Sequence, residues 1–425
     1  MDYPLARLFW ALAAITLVGV PLYAWRARGR AYGTFAFVIL ALSLPGAVLM
    51  HGRFRDWLSA GPAVAADAAF AYSMAAAGVH LVSLVRPHLR TRSFRWLVSV
   101  PGMAFVAAGT LSGLWLLALL PVRTALSLLG YEGALDGMRW LDLLPFLIAL
   151  VSILTSYRLA DEIVRVRLGK DGPDTVSRVP VERYRRRAPA PLGRRPLRIV
   201  QIADPHLGPW QPVHRLKQRI QELVEREPDL VLLTGDFLTM EGMGSPGALT
   251  EALAPLRVVS QRCFAIFGNH DHESSDEVRA ALAANDIRLL VDEEVVVETA
   301  VGPVQIVGAD YVGRGRGEHI RELLARFPRC EGRLRLFLLH DPLGFQHVPM
   351  GDVDLTLSGH THGGQLGLVS FGLDWTVLSR TRWPDHGLFG HGTNRLYVHR
   401  GMGFYGFPLR IGVPGELSLL ELVQE

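Results

Sequence analysis

The stretch Ser358-Gly359-His360-Thr361-His362-Gly363-Gly364-Gln365 decides how the fold of this chain is interpreted. The segment before it, Val353–Leu357, alternates apolar and polar residues, which predicts a strand that ends near the first glycine. Side chains two residues apart in an extended chain point to the same side, so both imidazoles of the stretch can face one site. Two neutral imidazoles suit a metal ion, but a single His-x-His pair is also compatible with an ordinary turn. Further ligands elsewhere in the chain are therefore needed before a metal site is predicted.

Four other predicted strands are also followed directly by side chains that can bind a metal. They are Asp204 and His206 after Leu197–Ala203, Asp236 after Asp229–Thr234, Asn269, His270 and Asp271 after Cys263–Phe267, and His340 after Leu334–Leu339. Each has an ordinary explanation alone, since Asp and Asn cap helices and His can satisfy a buried backbone group. Open α/β sheets, however, place their sites at the carboxyl ends of strands. Five such strand ends in succession predict one shared site.

The chemistry of these residues indicates a catalytic metal site. Among them, two Asp, one Asn and four His offer oxygen and nitrogen donors without a thiolate, which suits Mn, Fe or Zn better than structural zinc. Seven ligands exceed the need of one ion, whereas two divalent ions about 3.5–4 Å apart, bridged by a carboxylate, would use them all. Such a pair would clamp a phosphoryl group and convert a bridging water to hydroxide near neutral pH. No Gly-x-Ser-x-Gly occurs, which argues against acyl transfer.

From Leu197 onward, predicted strands alternate with amphipathic helices such as His214–Glu227. Val295–Thr299 and Pro303–Val307 are arranged as a hairpin would be, around Ala300–Gly302. The pattern predicts an α/β domain with a large sheet content over residues 197–425.

The first part of the chain has a different character. The whole sequence is 49% hydrophobic and 20% charged, and the apolar excess falls before about residue 158. Five apolar stretches occur there, at Leu5–Ala24, Tyr32–Met50, Ala63–Val85, Trp96–Pro121 and Trp140–Tyr157. Each is about long enough to cross ~30 Å of hydrocarbon as a helix, so residues 1–158 are predicted to form a transmembrane domain of about five helices. Asp67 and His80 lie near the ends of the third stretch, where we expect them to reach the membrane surface.

Arginines in the loops predict the orientation. The loops after the first and third stretches hold three and four arginines without an acidic residue, whereas the loops after the second and fourth are close to charge balance. The positive-inside rule then places the catalytic domain in the cytoplasm, provided that Trp140–Tyr157 crosses the membrane. The sequence pI of about 9.2 reflects these loops and a linker rather than a basic binding face, so no nucleic-acid partner is expected. Two cysteines, Cys263 and Cys330, are compatible with a reducing compartment.

Residues 159–196 are predicted to be a basic juxtamembrane linker. The stretch from Arg158 to Arg198 holds twelve Lys or Arg against five Asp or Glu and includes Arg185-Arg186-Arg187. It could lie against anionic membrane lipids or be a solvated connector, and the sequence leaves both open.

The five strand-end motifs resemble those of the calcineurin-like metallophosphoesterases. The matching motifs are Asp204-x-His206, Gly235-Asp236, Gly268-Asn269-His270-Asp271, His340 and Gly359-His360-x-His362. The resemblance implies a four-layer α/β sandwich, two β-sheets flanked by helices. It implies that one metal is held by Asp204, His206, Asp236 and His362, and a second by Asp236, Asn269, His340 and His360. It also implies that His270 is the general acid and that Asp271 orients its imidazole. Pro205 departs from the usual pattern, but neither neighbouring ligand is changed.

The ending of the metal motif and Leu396-Tyr397-Val398-x-Arg400-Gly401 are similar to the bacterial membrane-attached branch of that family. We therefore expect a phosphoesterase in the bacterial inner (plasma) membrane that hydrolyses phosphodiester or pyrophosphate bonds, with a lipid-linked or nucleotide-lipid substrate as one possibility. Candidate substrate-binding residues are Arg380, Arg382, Trp383 and His386, next to the metal motif. A phosphomonoesterase or phosphoprotein phosphatase, and a non-catalytic membrane receptor or assembly module, are the alternatives; the intact ligand set argues against the last.

Overall fold

The computed structural model describes residues 4–185, 189 and 195–424. The chain divides into two compact units. The helical unit runs to Leu154 and includes Gly406–Ile411, and the two-sheet unit comprises Thr155–Tyr405 and the chain from Gly412 onward.

The helices of the first part are α1 Pro4–Arg28, α2 Arg30–Trp57, α3 Ala60–Ser83, α4 Arg92–Phe94, α5 Val100–Leu128, α6 Glu132–Gly137 and α7 Leu144–Tyr157. A π-helical turn, Arg95–Ser99, joins α4 to α5, and a 3-10 turn, Met138–Leu143, joins α6 to α7. With these continuations, five helical stretches are long and apolar enough to cross a membrane, which confirms the predicted number.

Small residues let α2 and α5 pack closely. A Cβ atom at Gly46 would overlap the backbone of Gly109 and Gly113, so the two helix backbones touch where glycine leaves room. Close backbone approach through small residues is how helices associate in a bilayer, where burial of apolar surface drives little association.

Two buried carboxylates each contact two basic side chains inside the helical unit. Asp67 Oδ1 lies 2.8 Å from His51 Nε2, and its Oδ2 lies 2.5 Å from Arg55 Nη1. Asp142 pairs with Arg53 and Arg123 in the same way, at 2.5 and 2.6 Å. The expectation that Asp67 reaches the membrane surface was wrong, because its side chain is 1% exposed and satisfied by these partners.

Two seven-stranded sheets form the second unit. The strands are β1 Leu159–Leu168, β2 Ser177–Arg178, β3 Glu182–Arg185, β4 Leu197–Ile202, β5 Leu230–Leu233, β6 Cys263–Ala265, β7 Arg288–Leu289, β8 Glu293–Thr299, β9 Gly302–Gly308, β10 Leu334–Leu338, β11 Leu355–Ser358, β12 Gly387–His391, β13 Asn394–Val398 and β14 Gly415–Gln424. The first sheet has the order β3-β1-β14-β4-β5-β6-β7, and the second has the order β2-β12-β13-β11-β10-β9-β8. β8 and β9 pair antiparallel, which confirms the predicted hairpin.

The inner faces of the two sheets share one hydrophobic core. Ile199 and Leu232 contribute from the first sheet, and Leu336 and Leu355 from the second. The helices of this unit are α8 Val213–Val224, α9 Met240–Met243, α10 Ala248–Leu253, α11 Ser275–Ala283 and α12 Arg316–Arg326. Helix α12 buries Ile320 and Leu323 in a separate hydrophobic core, which it shares with residues of the second sheet. The predicted α/β architecture of two sheets with helices outside is therefore confirmed.

Parallel pairing brings the ligand-bearing loops to two sheet edges. In the first sheet β4, β5 and β6 run parallel, so the residues that follow them leave from one edge. In the second sheet β9, β10, β11 and β13 run parallel and do the same. The site described below is built where these carboxyl ends meet.

Three strands lie inside the segment predicted to be a linker. β1 pairs with β14 over ten residues and with β3, and β2 pairs with β12 in the other sheet. Many of its arginines are also neutralised: Arg165 pairs with Glu421, Arg167 with Glu182, Arg178 with Asp385 and Arg183 with Glu162. Residues 159–168 are therefore part of a sheet rather than a connector; Arg186 and Arg187 lie outside the described residues.

A fragment that begins at Leu197, the predicted domain start, should be far less stable than one that begins at Arg158. The shorter fragment lacks Val164, Val166 and Leu168, which are buried between the sheets and contribute about 1.5–3 kcal/mol each. It also leaves one side of β14 without a neighbouring strand, while the other side still pairs with β4. Thermal unfolding followed by near-UV circular dichroism compares the two.

In the full chain, Val166→Asp should lower the unfolding temperature, while Arg167→Ala, at an exposed position, should change it little. Equal stability of the two fragments would contradict the assignment of residues 159–168 to the first sheet.

Candidate metal centre

Three residues form a first cluster of donor atoms. One ligand atom from each of Asp204, His206 and His362 lies within 4.8 Å of the others. The two Nε2 atoms of His206 and His362 are 3.3 Å apart, and His362 Nε2 lies 3.7 Å from Asp204 Oδ1. All three residues are buried.

A second cluster lies beside the first. It consists of Asp236, His340 and His360, again with ligand atoms within 4.8 Å of one another. Asn269 adds its side-chain oxygen, which lies 2.8 Å from His360 Nδ1 and 3.2 Å from His340 Nε2. Every residue predicted as a ligand is therefore in one of two adjoining groups.

Asp236 connects the clusters. Its Oδ2 lies 3.2 Å from His340 Nε2 in the second cluster and 3.7 Å from His206 Nε2 in the first. A single carboxylate oxygen between two sets of imidazole nitrogens is the arrangement that a ligand shared by two ions requires.

The backbone holds these residues in an uncommon conformation. Nine described non-glycine residues have positive φ, and five of them belong to the two clusters. These five are Asp204 (47°), His206 (42°), Asp236 (59°), His360 (70°) and His362 (53°). Such conformations cost about 1–3 kcal/mol each and concentrate at functional sites, where neighbouring structure enforces them.

Two glycines allow the loops to approach one another. A Cβ at Gly268 would overlap the Asp236 carboxylate, and a Cβ at Gly359 would overlap that of Asp204. Only glycine fits where the backbone passes so close to a ligand side chain. The His360 backbone N–H also donates to Asp204 Oδ1 at 2.9 Å, which ties the two sheet edges together.

Hydrogen bonds on the outer side of two imidazoles orient them. His340 Nδ1 lies 2.7 Å from the Thr234 carbonyl, and His206 Nδ1 lies 3.4 Å from that of Leu238. A carbonyl only accepts, so each Nδ1 carries the hydrogen, and in the neutral ring Nε2 presents a lone pair to the site. Carbonyl partners of this kind fix the tautomer of metal-binding histidines.

The electrostatics of the clusters favour a bound cation. Burial lowers the pKa of His206 to about 3, and burial with the neighbouring His340 lowers that of His360 to about 4. Burial alone would raise the pKa of Asp236, but the adjacent imidazoles, His340 foremost, hold it well below its usual range. Burial also disfavours the charged form of His340, yet attraction to Asp236 outweighs it and raises the pKa of His340 to about 10. Near pH 7 His206 and His360 are therefore neutral and Asp236 is ionised, whereas His340 has to release its Nε2 proton when a divalent ion binds.

His270 lies beside the first cluster at the surface. Its ring centroid is 5.7 Å from that of His206, and its side chain is 25% exposed. Its Nδ1 lies 3.0 Å from Glu273 Oε1. Burial acts to lower the pKa of His270, but this hydrogen bond and the attraction to Asp236 and Glu273 together outweigh burial and raise the pKa. The ring of Tyr405 packs against both imidazoles, at 4.6 Å from His270 and 5.4 Å from His206.

The expectation that Asp271 orients His270 was wrong. The Asp271 carboxylate accepts hydrogen bonds from the backbone N–H groups of Asp236, Phe237 and Gly268, at 2.7–2.8 Å. It thus holds the loops that carry Asp236 and Asn269, and Glu273 takes the position at the imidazole. Sequence analysis missed Glu273, although a His and a Glu three residues apart in a helical turn are placed to interact.

The predicted substrate-binding residues divide into two groups. Arg382 and Trp383 line a cleft of about 870 Å³, which we call the side cleft. Arg380 is exposed and does not line it, and His386 is buried at 1% exposure outside it. The side cleft is also lined by Arg178 of β2, which sequence analysis had placed in a linker.

The sequence is similar to known phosphoesterases over the part of the chain that carries the two clusters. Residues 197–364 match the family model of the calcineurin-like phosphoesterases. Phosphodiesterase YaeI of Escherichia coli is 30% identical over 233 residues, which cover 54% of this chain and 83% of YaeI. The Bacillus subtilis metallophosphoesterase YkoQ is 29% identical over 54% of this chain and 84% of that protein. The transmembrane protein with metallophosphoesterase domain of Bos taurus is 27% identical over 68% of this chain and 65% of its own length.

The chain belongs to the calcineurin-like phosphoesterase family. It is a metal-dependent phosphoesterase, and the two clusters are its candidate metal-binding groups.

Proposed function

We propose that this protein is a membrane-anchored hydrolase of phosphodiester or pyrophosphate bonds with a site for two divalent ions. The observation that carries the proposal is the position of Asp236 between the clusters, with His270 beside them. Asp204, His206, Asp236 and His362 would hold one ion, and Asp236, Asn269, His340 and His360 the other. When bound, the ions would supply Lewis-acid polarisation of the phosphoryl group and a water nucleophile of lowered pKa. Mn, Fe and Zn all fit these donors.

The side chains around the ions perform the remaining steps. His270 would donate a proton to the leaving oxygen as the phosphorus–oxygen bond breaks, because it is the partly exposed imidazole next to the first cluster. Glu273 would hold its ring through Nδ1 and leave Nε2 directed to the substrate. Asp271 would keep the loop geometry through its three backbone hydrogen bonds.

Anchoring in the membrane is supported by the five apolar helical stretches. The ion pairs of the helical unit strengthen the orientation argument, because Asp67 and Asp142 neutralise the arginines near the second and fourth loops. Within the described chain, Arg26, Arg30, Arg86 and Arg92 have no carboxylate partner. The uncompensated positive charge of these loops therefore lies in the first and third, which supports the proposal that the catalytic domain is in the cytoplasm.

Asp236→Asn should abolish turnover and lower the metal content at both positions, since no other described carboxylate lies between the clusters. The purified full chain would be assayed with Mn on bis(4-nitrophenyl) phosphate and 4-nitrophenyl phosphate, with metal content measured by mass spectrometry. Asp276→Asn, at an exposed position on α11, is the control. Full activity of Asp236→Asn would contradict the two-metal assignment, and a preference for the monoester would favour a phosphomonoesterase.

His270→Ala should keep both metals but lower the rate by roughly 10²–10⁴. The loss should be larger for alkyl leaving groups than for 4-nitrophenol, which needs little protonation. Glu273→Gln should show the same dependence with a loss of about tenfold, and should add nothing in the His270→Ala background because Glu273 acts through that ring. A loss that is equal for good and poor leaving groups would show that His270 has another role.

Alkaline phosphatase fused after Glu425 should be inactive, and a fluorescent protein that matures only in the cytoplasm should be bright there. Both results follow from five crossings with the first and third loops inside. An active phosphatase with a dark fluorescent protein would overturn the orientation.

A further inference from the structure

The side cleft continues directly from the loops that carry the ligands. Pro342 lines the cleft and lies two residues after His340, and Asp341 between them reaches to within 3.8 Å of His360 Nε2. Asp385, another lining residue, accepts the Thr361 hydroxyl at its carbonyl oxygen, at 2.5 Å. His270, in contrast, lies beside His206 in the first cluster. The side cleft therefore adjoins the loops of His340 and His360, and His270 does not line it.

The cleft is held in shape by a buried carboxylate. Asp385 Oδ2 accepts the hydroxyls of Thr376 at 2.7 Å and Ser379 at 3.1 Å, and its Oδ1 pairs with Arg178. Arg178 also donates to the His386 carbonyl at 2.5 Å. These bonds join β2 to the loop before β12, so the two walls are fixed relative to each other before a ligand binds.

Hydrogen-bonding side chains occur throughout the lining. Eleven of the seventeen lining residues carry a charged, hydroxyl, amide or imidazole group, so a ligand with several hydroxyls finds polar partners on the cleft wall. Arg382 has no hydrogen-bond or ion-pair partner within the described ranges, and its guanidinium lies 5.7 Å from the Trp383 ring. An aromatic face, a guanidinium and hydroxyls at Thr175 and Ser177 are the groups that recognise a polar ring by stacking and hydrogen bonding.

We propose that the side cleft binds the group that stays on the phosphorus, and that this group is a hydroxylated ring, a sugar or a nucleoside, rather than an acyl chain. The assignment rests on the proposed phosphodiester or pyrophosphate hydrolysis and narrows its substrate class. An apolar portion, where the substrate has one, belongs to the leaving group on the His270 side.

Binding without metal tests the proposal directly. The full chain in detergent, treated with EDTA, is titrated calorimetrically with uridine 5′-monophosphate, glucose 1-phosphate and hexyl phosphate. At least one ring compound should bind about tenfold or more tightly than hexyl phosphate, and the tighter of the two distinguishes a nucleoside from a sugar. Equal or tighter binding of hexyl phosphate would overturn the assignment.

Matched variants locate the binding in the cleft. Arg382→Ala and Trp383→Ala should each weaken ring binding about tenfold, because they remove the guanidinium and the stacking face. Arg380→Ala and Trp375→Ala are the controls, since both residues are exposed nearby but do not line the cleft. Thermal unfolding checks that each variant is folded, and the exposed Arg382 gives a readout even where Trp383→Ala is unstable. Equal losses in Arg380→Ala and Arg382→Ala would overturn the assignment.

The two proposals fail in different ways. Absence of metal-dependent hydrolysis of every aryl phosphate overturns the proposed function, while the EDTA titration still decides whether the cleft prefers rings. Normal hydrolysis of bis(4-nitrophenyl) phosphate together with no preference for rings overturns only the cleft assignment.

Discussion

The close approach of donor atoms at the joined sheet edges is the constraint on which the catalytic centre depends. Two imidazole nitrogens lie 3.3 Å apart beside carboxylates that are almost fully buried, an arrangement that is costly unless a cation lies among them. The backbone adds to that cost, because five residues of the two clusters have positive φ. Metal binding offsets both costs, and for that reason we expect metal retention and stability of these loops to be linked.

Buried carboxylates compensate positive charge in the helical unit. Asp67 binds Arg55, and Asp142 binds Arg53 and Arg123, so arginines that would otherwise add charge to a loop are neutralised within the helical unit. The charge that remains uncompensated is the charge that orients a membrane protein. The arginine count in the sequence and the ion pairs in the structure both concern the net positive charge of each loop. Both favour an orientation with the first and third loops in the cytoplasm.

The residues of the two candidate metal-binding clusters could be picked out from sequence because each follows a short apolar strand, which is a local pattern. The partner of His270 could not, because the directions of the Asp271 and Glu273 side chains depend on the turn that carries them. β1 was missed for another reason. One of its partners, β14, lies about 250 residues further along the chain, so the pairing is not a local pattern. Charged residues also alternate with the buried Val164, Val166 and Leu168, which made the segment resemble a linker.

The basic segment after the helices, which the sequence predicted to be a linker, belongs to the folded two-sheet unit. A net charge of +7 favours contact with anionic lipid only where the cations are available, and four of its arginines are paired with acids of the two-sheet unit. One of them, Arg178, shapes the side cleft through Asp385. The segment that connects the last apolar helix to the catalytic strands is therefore also a wall of the candidate substrate site. Changes to its length or charge should act on substrate recognition as well as on anchoring.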